Sequence, residues 1–151
     1  MTDQNNPERV FETDVLVIGG GIARCFAAVK AREQGVDVTL VTKGVIGRSG
    51  MSPWGHGTMV VPTEQTEKID ELKQQAYTGG YYLNNRIWTE RIIRESYARF
   101  QDLLSWEQPF LKDEKGNYVK PMQGNKEQPG ILWALEDGPN PWAKTLRRQP
   151  E

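Results

Sequence analysis

D-V-L-V-I-G-G-G-I-A, residues 14–23, is the stretch of sequence that decides the fold. Its four aliphatic residues, Val15 to Ile18, predict a short buried strand over about residues 13–18. Three glycines follow, and a helical pattern then begins at Ile22. A strand that turns directly into a helix points the unpaired N–H groups at the positive end of the helix dipole toward the turn. Because glycine allows a tight turn and the close approach of a pyrophosphate, the stretch predicts a dinucleotide-binding turn.

The next residues complete a β-α-β unit. Apolar residues at helical spacing predict a helix from Ile22 to Gln34, which Gly35 ends. The run V-D-V-T-L-V at 36–41 predicts a second strand. The two strands are expected to be parallel, since a crossover helix joins them in a right-handed sense.

Two positions depart from the usual glycine fingerprint. Gly19 and Gly21 match its first two glycines, but Arg24 stands in the third place, where glycine normally allows close packing of helix on strand. Two interpretations of Arg24 stay open: a side chain that reaches toward the phosphates, and a motif that has drifted. Thr42 stands where an acidic residue often contacts the ribose.

The rest of the chain predicts a mainly helical continuation. Residues 43–62 are rich in glycine and predict a long irregular loop. The buried face predicted for the second of the later helices consists of Ile92, Ile93, Tyr97, Phe100, Leu103 and Leu104. The later elements are predicted as helices at 64–77 and 85–106, a small hairpin at 110–119, a loop at 120–130, a strand at 131–135 and a last helix at 141–148.

Composition narrows the class of protein. The chain has 151 residues and a net charge of −1, so no basic field favours nucleic acid. No run approaches the roughly 18 apolar residues of a membrane span, and the polar N-terminus lacks a secretory core. The single cysteine, Cys25, excludes an internal disulfide, leaves no multi-cysteine metal site, and is interpreted as packing rather than as a redox thiol. We therefore expect a cytoplasmic protein.

Three segments together resemble the flavoprotein subunit of the succinate dehydrogenase/fumarate reductase family, which includes aspartate oxidase and the α subunit of adenylylsulfate reductase. They are the glycine turn at 14–23, G-V-D-V-T-L-V-T-K at 35–43 and G-R-S-G-M-S at 47–52. The resemblance implies an α/β fold. A Rossmann-like β-α-β FAD-binding unit would occupy residues 1–62, and a mainly helical continuation with a small β-hairpin would occupy 63–151, within one truncated, incomplete domain.

The resemblance also implies a set of FAD-binding residues. They are Gly19, Gly21, Ile22, Ala23, Thr42, Lys43, Gly44, Arg48, Ser49, Gly50 and Met51. The first four would bind the pyrophosphate through backbone N–H groups, the next three would follow the adenosine ribose and phosphates, and the last four would flank the flavin. In several members a histidine two residues after the arginine bonds covalently to FAD. Gly50 stands there, so FAD is expected to bind noncovalently.

The loop predicted at 43–62 contains two further candidate residues, His56 and Trp54. His56 is not at the attachment position, and a histidine that hydrogen-bonds within its loop is the preferred interpretation. Trp54 is a candidate neighbour of the cofactor within the same loop. No catalytic residue and no metal ligand is assigned.

Members of the family are several times longer than this chain, and the blocks that bind a dicarboxylate are not recognisable here. We therefore expect the N-terminal portion of a flavoprotein oxidoreductase. The family transfers hydride between substrate and flavin and passes electrons to an iron–sulfur subunit. The expected partners are such a subunit or the remainder of the flavoprotein. Two alternatives stay open: a catalytically inactive fragment or protein-interaction module that retains the nucleotide-binding core, and an NAD(P)-dependent Rossmann protein, which Thr42-Lys43 and the G-R-S-G loop disfavour.

Overall fold

The computed structural model describes residues 10–47, 58–61 and 69–120, three short strands between 122 and 133, and Thr145. The described chain is of the α/β class, as predicted. Its elements in chain order are β1 (Val15–Ile18), α1 (Ile22–Arg32), β2 (Val38–Val41), β3 (Thr58–Val60), α2 (Ile69–Gly79), α3 (Arg86–Ser105), β4 (Met122–Gln123), β5 (Lys126–Glu127) and β6 (Ile131–Trp133).

The predicted β-α-β unit is confirmed, but the prediction that β1 is buried was wrong, since Leu16 and Ile18 are 56% and 69% exposed. One face of this two-stranded sheet has no described element packed against it. Strands β1 and β2 are parallel, with Val15 opposite Val38 and Ile18 opposite Val41. The start of the pair is fixed by the carbonyl of Asp37, which accepts hydrogen bonds from the backbone N–H groups of Asp14 (3.1 Å) and Val15 (3.0 Å). Gly35 has a φ of +80°, a left-handed conformation that lets the chain reverse after α1.

The hydrophobic core lies where α1 meets α3 and the segment after it. Phe100 is its centre, with ring centroids 4.9 Å from Phe110 and 5.3 Å from Tyr118 in edge-to-face geometry. Phe26 of α1 packs its ring 4.7 Å from that of Trp106, the C-cap of α3. The β-α-β unit therefore shares one core with the long helix. The buried members of that core are Cys25, Val29, Val61, Phe100, Leu103, Trp106 and Phe110.

Helix α3 begins as predicted. The side chain of its N-cap, Asn85, accepts a 3.1 Å hydrogen bond from the backbone N–H of Trp88. Its buried face includes Ile93, Phe100 and Leu103, but the prediction was wrong for Ile92, which is 61% exposed. Consecutive helical residues point about 100° apart, and here the direction of Ile93 is covered whereas that of Ile92 faces outward. Ser96 is buried instead, and its hydroxyl donates to the Ile93 carbonyl at 2.8 Å.

Three strands form where loops were predicted. Strand β3 lies within residues 43–62 and pairs antiparallel with β6, whose position was predicted. Strands β4 and β5 form a two-residue antiparallel pair inside the predicted loop at 120–130. The hairpin predicted at 110–119 is confirmed by an antiparallel bridge between Lys112 and Tyr118.

Some predictions fall on residues outside the described ranges. The start predicted for α2 at Glu64 is among them, and of the last predicted helix only Thr145 is described, as helical. The division of the chain at residue 62 stays a prediction. Within the described residues, no helix is both long and apolar enough to cross a membrane.

Candidate dinucleotide-binding site

Gly19 opens the turn between β1 and α1. Its N–H donates to the carbonyl of Val41 at 2.6 Å, which extends the contact of β1 with β2 by one step. Its φ of +112° is one that side-chain-bearing residues rarely adopt. A Cβ built on Gly19 would also stand 2.6 Å from Cδ of Arg24. The φ angle is the reason that the position requires glycine, whereas the flexible Arg24 side chain could move away from a Cβ.

The carbonyl groups of the turn are engaged within the protein. The Gly20 carbonyl accepts from the N–H of Gly47 at 2.7 Å, and the Cys25 thiol lies 3.6 Å from it. The Gly21 carbonyl accepts from the N–H groups of Arg24 (3.1 Å) and Cys25 (3.0 Å). Gly21 is the N-cap of α1 and supplies no side-chain acceptor. Because those carbonyls are engaged and the first helical turn carries donors, the turn suits an anionic ligand.

The register of β1 and β2 brings the predicted site residues Thr42, Lys43 and Gly44 to the same edge of the sheet as the glycine turn. Ile18 pairs with Val41, so Gly19 and Thr42 are the next residues of neighbouring strands. Lys43 follows and is exposed, and the N–H of Gly44 lies 3.4 Å from the Thr42 hydroxyl. The residues predicted to hold pyrophosphate and adenosine ribose are therefore neighbours at the carboxyl ends of the two strands.

Gly47 was not among the predicted site residues. It is buried, has a φ of +74°, and its hydrogen bond to Gly20 holds the segment after β2 against the glycine turn. The signal in the sequence was its place at the head of the G-R-S-G segment. Sequence alone does not show that its backbone reaches Gly20, 27 residues earlier.

The residues predicted to flank the flavin, Arg48, Ser49, Gly50 and Met51, lie outside the described residues, as do Trp54 and His56. Cys25 is 2% exposed within the core, which supports the interpretation of this thiol as packing. No group of three or more metal-ligating side chains occurs among the residues that the structure describes.

A cavity of about 540 Å³ lies between α1 and β2. Its lining includes the apolar residues Cys25, Val29 and Leu40 and the charged residues Arg32 and Asp37. Gly19 to Gly21 are not among its lining residues, although Cys25, whose thiol lies 3.6 Å from the Gly20 carbonyl, is one of them.

The described ionisable groups with shifted pKa values belong to structural contacts. The Glu33 carboxylate has a lowered pKa, first because Lys30 donates a hydrogen bond to it and also because Trp106 does. The same contact with Glu33, assisted by Asp102, raises the pKa of Lys30. Both groups lie in the last turn of α1 or just after it, at the opposite end of the helix from the glycine turn.

The strand, glycine turn, helix and parallel second strand define a dinucleotide-binding domain. The chain belongs to the FAD binding domain family, whose model matches residues 14–146. The flavoprotein resemblance drawn from the sequence is thereby confirmed at the level of this family.

The chain is similar to known flavoproteins in sequence and in fold. The chain is 27% identical over 110 residues to one subunit of the CoM/CoB fumarate reductase of Methanothermobacter marburgensis, covering 71% of this chain and 20% of that one. It is 27% identical over 110 residues to the L-aspartate oxidase of Halobacterium salinarum, covering 72% and 21%. Its fold matches Sdh1 of Mycobacterium smegmatis, solved in complex with UQ1, with a TM-score of 0.75 and 24% identity over 91% of this chain and 23% of that one. The chain spans about a fifth of the length of the curated relatives it matches.

Proposed function

We propose that this chain holds FAD noncovalently, as the FAD-binding portion of a fumarate reductase-like flavoprotein oxidoreductase. The observation that supports this most directly is the β1–β2 register, because it sets the glycine turn beside Thr42 and Lys43. A diphosphate has donors at the turn, and a ribose has a hydroxyl partner at Thr42. The match of the FAD binding domain family over residues 14–146 favours FAD as the dinucleotide.

The described residues fit the adenosine diphosphate half of FAD. Gly19 has a φ of +112°, which residues with a Cβ rarely adopt. Gly21 is the N-cap of α1 and has no side chain that would obstruct a phosphate. The N–H groups of Ile22 and Ala23, in the first helical turn, would bind the phosphates. Thr42, Lys43 and Gly44 would follow the ribose. Bound FAD supplies hydride transfer at the flavin, and the proposed flavin contacts of Arg48, Ser49, Gly50 and Met51 come from the resemblance.

The absence of a covalent bond is part of the proposal and depends on Gly50, which has no side chain to attach. Acid denaturation of the FAD-loaded chain would test it. All yellow colour should stay in the supernatant, and flavin that precipitates with the protein would contradict noncovalent binding.

The proposed partner is an iron–sulfur subunit that receives electrons from the reduced flavin. The 151 residues contain one cysteine, and it is buried, whereas clusters are usually held by four thiolates. A cluster would therefore need ligands from elsewhere. The name of the fumarate reductase relative describes a subunit, which favours an assembly of chains. A cytoplasmic location is part of the same proposal, supported by the polar composition, with a mean hydropathy of −0.65.

The direct test is a titration of the purified chain with FAD, followed by flavin fluorescence and by thermal unfolding. At a hundred times Kd, bound ligand should stabilise the chain by about 2.7 kcal/mol, a rise in Tm of about 5–10 °C for a chain of this size. NAD+ serves as the competing dinucleotide and should bind much more weakly. Gly19→Val should abolish FAD binding. The matched control is Gly79→Ala at an exposed position, where the added Cβ would have no atom within 4 Å. A saturable response to NAD+ and none to FAD would contradict the proposal.

A second candidate function is a protein-interaction module that retains the nucleotide-binding core. The observation that favours it is a run of exposed apolar side chains at the turn between α2 and α3 and along the start of α3. They are Tyr81, Tyr82, Leu83, Ile87, Trp88 and Ile92. Exposed patches of this kind mark interaction surfaces. A thermal melt that FAD leaves unchanged would favour this function over FAD binding.

A further inference from the structure

The side chain of Arg24 lies across the glycine turn. Atoms Cδ, Nε and Cζ of Arg24 stand 2.6, 2.8 and 3.3 Å from the point where a Cβ of Gly19 would be. The side chain therefore uses the space that Gly19 leaves empty. Its guanidinium group is at the turn, beside the N-terminus of α1, although Arg24 as a residue is exposed.

Arg24 does not disturb the packing of α1 on the sheet. The fingerprint normally has glycine at this place so that helix and strand can approach. Here the approach is made by Cys25 and Val29, which are 2% and 7% exposed. Arg24 points away from that contact, so its size has no steric cost in the core.

Within the part of the chain that the structure describes, no carboxylate forms an ion pair with Arg24. There, Arg32, Arg91, Arg94 and Arg99 each form an ion pair with a carboxylate, and Arg86 lies over the ring of Tyr77. No such partner is found for Arg24 among the same residues. A guanidinium group is cationic in proteins, so among the described residues Arg24 places a positive charge at the turn with no carboxylate paired to it.

The surrounding charges add to this field. At the carboxyl ends of β1 and β2 the described charged side chains nearby in sequence are Arg24 and Lys43, and the positive end of the α1 dipole points there. Three acidic residues, Glu12, Asp14 and Asp37, precede the same strands at their amino ends. Among the described residues, the β-α-β unit thus has two cationic side chains near the glycine turn, whereas at the opposite edge the acidic residues are partly neutralised by the ion pair of Arg32 with Asp37.

We propose that Arg24 is a diphosphate-binding residue, and that its guanidinium group replaces the fingerprint's third glycine with a direct charge-assisted contact to the phosphates. This rests on the proposed function, since the diphosphate is that of the bound dinucleotide. A guanidinium group donates two parallel N–H bonds to phosphate oxygens, which a lysine cannot do. The site would then bind the ADP portion of its ligand through Arg24 in addition to the backbone N–H groups of the turn.

The test compares FAD and ADP affinities of the full 151-residue chain with those of Arg24→Gln, Arg24→Lys and Arg24→Gly. Arg24→Gln should weaken both ligands about tenfold or more, because a charged hydrogen bond is lost. Arg24→Lys should recover part of the loss. The control is Arg91→Gln, an exposed arginine of α3 whose ion pair with Glu95 lies outside the site. It should leave both affinities unchanged.

Ionic strength provides a second measurement. Raising the salt concentration should weaken ADP binding by the wild-type chain more than by Arg24→Gln, since salt screens a charge that the variant lacks. Equal or tighter FAD binding by Arg24→Gln and Arg24→Gly, with the same salt dependence as the wild type, would overturn the role of Arg24 alone. If the wild-type chain bound neither FAD nor ADP, the proposed function would fall with it. Circular dichroism of each variant establishes that the fold is retained.

Discussion

The indole N–H of Trp106 donates a 3.0 Å hydrogen bond to the carboxylate of Glu33, and each of these residues is the C-cap of its helix. Lys30 binds the same carboxylate and also contacts Asp102 at 3.1 Å. The end of α1 is thereby fixed to the end of α3. This joins the helix that carries the glycine turn to the core around Phe100 without any contribution from a ligand.

The contact of Glu33 predicts a dependence of stability on pH. Its pKa is lower in the folded chain than in the unfolded chain because Lys30 and Trp106 bind the ionised form. Its stabilising effect is therefore fully present above the ordinary glutamate pKa of about 4.3 and is lost as the pH falls through the lower folded value. Glu33→Gln should reduce the free energy of unfolding by about 0.5–1 kcal/mol at pH 7, a value that allows for partial exposure.

Urea unfolding of the wild type and Glu33→Gln at pH 7 and in steps down to pH 3 would measure this. The difference between the two chains should shrink as the pH falls. Glu95→Gln, which breaks an exposed ion pair on α3, is the control and should have the smaller effect. A difference between wild type and Glu33→Gln that does not change with pH would contradict the assignment.

The position of Phe100 in the core predicts a large loss of stability when its side chain is truncated to alanine. Phe100 is 5% exposed and contacts the rings of both Phe110 and Tyr118. Phe100→Ala should cost about 3–5 kcal/mol, through lost burial and the cavity left behind. Ile92→Ala on the same helix, at a side chain that is 61% exposed, should change the free energy of unfolding by about 0.5 kcal/mol or less. Denaturant titration followed by circular dichroism compares the two, and equal effects would contradict the described core.

The hydrogen bond of Gly47 to the glycine turn predicts that the conformation of the segment after β2 affects FAD affinity. Its φ is +74°, and its N–H binds the Gly20 carbonyl. Gly47→Ala should cost about 1–2 kcal/mol from the left-handed conformation alone. It should also weaken FAD binding, because the glycine turn loses the support of the segment after β2. Gly79→Ala is the control for both measurements. Unchanged FAD affinity in a destabilised Gly47→Ala would show that the support is not used in binding.

Asp113 gives a local test at the hairpin. Its carboxylate accepts hydrogen bonds from the backbone N–H groups of Asn117 (2.8 Å) and Lys115 (2.9 Å) and from the Asn117 side chain (3.2 Å). The pKa of Asp113 lies below its ordinary value, first because of the Asn117 backbone N–H. The turn is therefore stabilised above the unfolded-state pKa and loses that contribution as the pH falls through the folded value. Carboxyl carbon NMR measures the pKa directly, and Asn117→Ala, which keeps the backbone donors, should leave it lowered. Titration at the value seen in the urea-unfolded chain would contradict this.

The sequence predicted the parts of the site whose partners are close along the chain. An aliphatic strand, three glycines, a helix and a second strand follow one another within residues 14–41, so the turn and the parallel pair could be inferred from local pattern. The burial of β1 could not, because it depends on which other elements cover the sheet. Ile92 was placed on the buried face and the burial of Ser96 was not predicted, because tertiary packing selects which face of α3 is covered. The contact of Gly47 with Gly20 could not be inferred, since it is a backbone hydrogen bond that depends on the path of the loop. Strand β3 was missed for the same reason, because its partner β6 lies more than seventy residues away.

The two kinds of strand pairing also set an order of assembly. Val15 pairs with Val38, 23 residues further along the chain, whereas Thr58 pairs with Trp133, 75 residues further along. Closing the longer loop costs about 1 kcal/mol more conformational entropy, and pairings between distant residues form slowly. The nucleotide turn is therefore expected to form early in folding, before β3 meets β6. Pulsed hydrogen exchange during refolding should protect the amides of Val17 and Leu40 before those of Met59 and Leu132, and the reverse order would rule out this sequence of events.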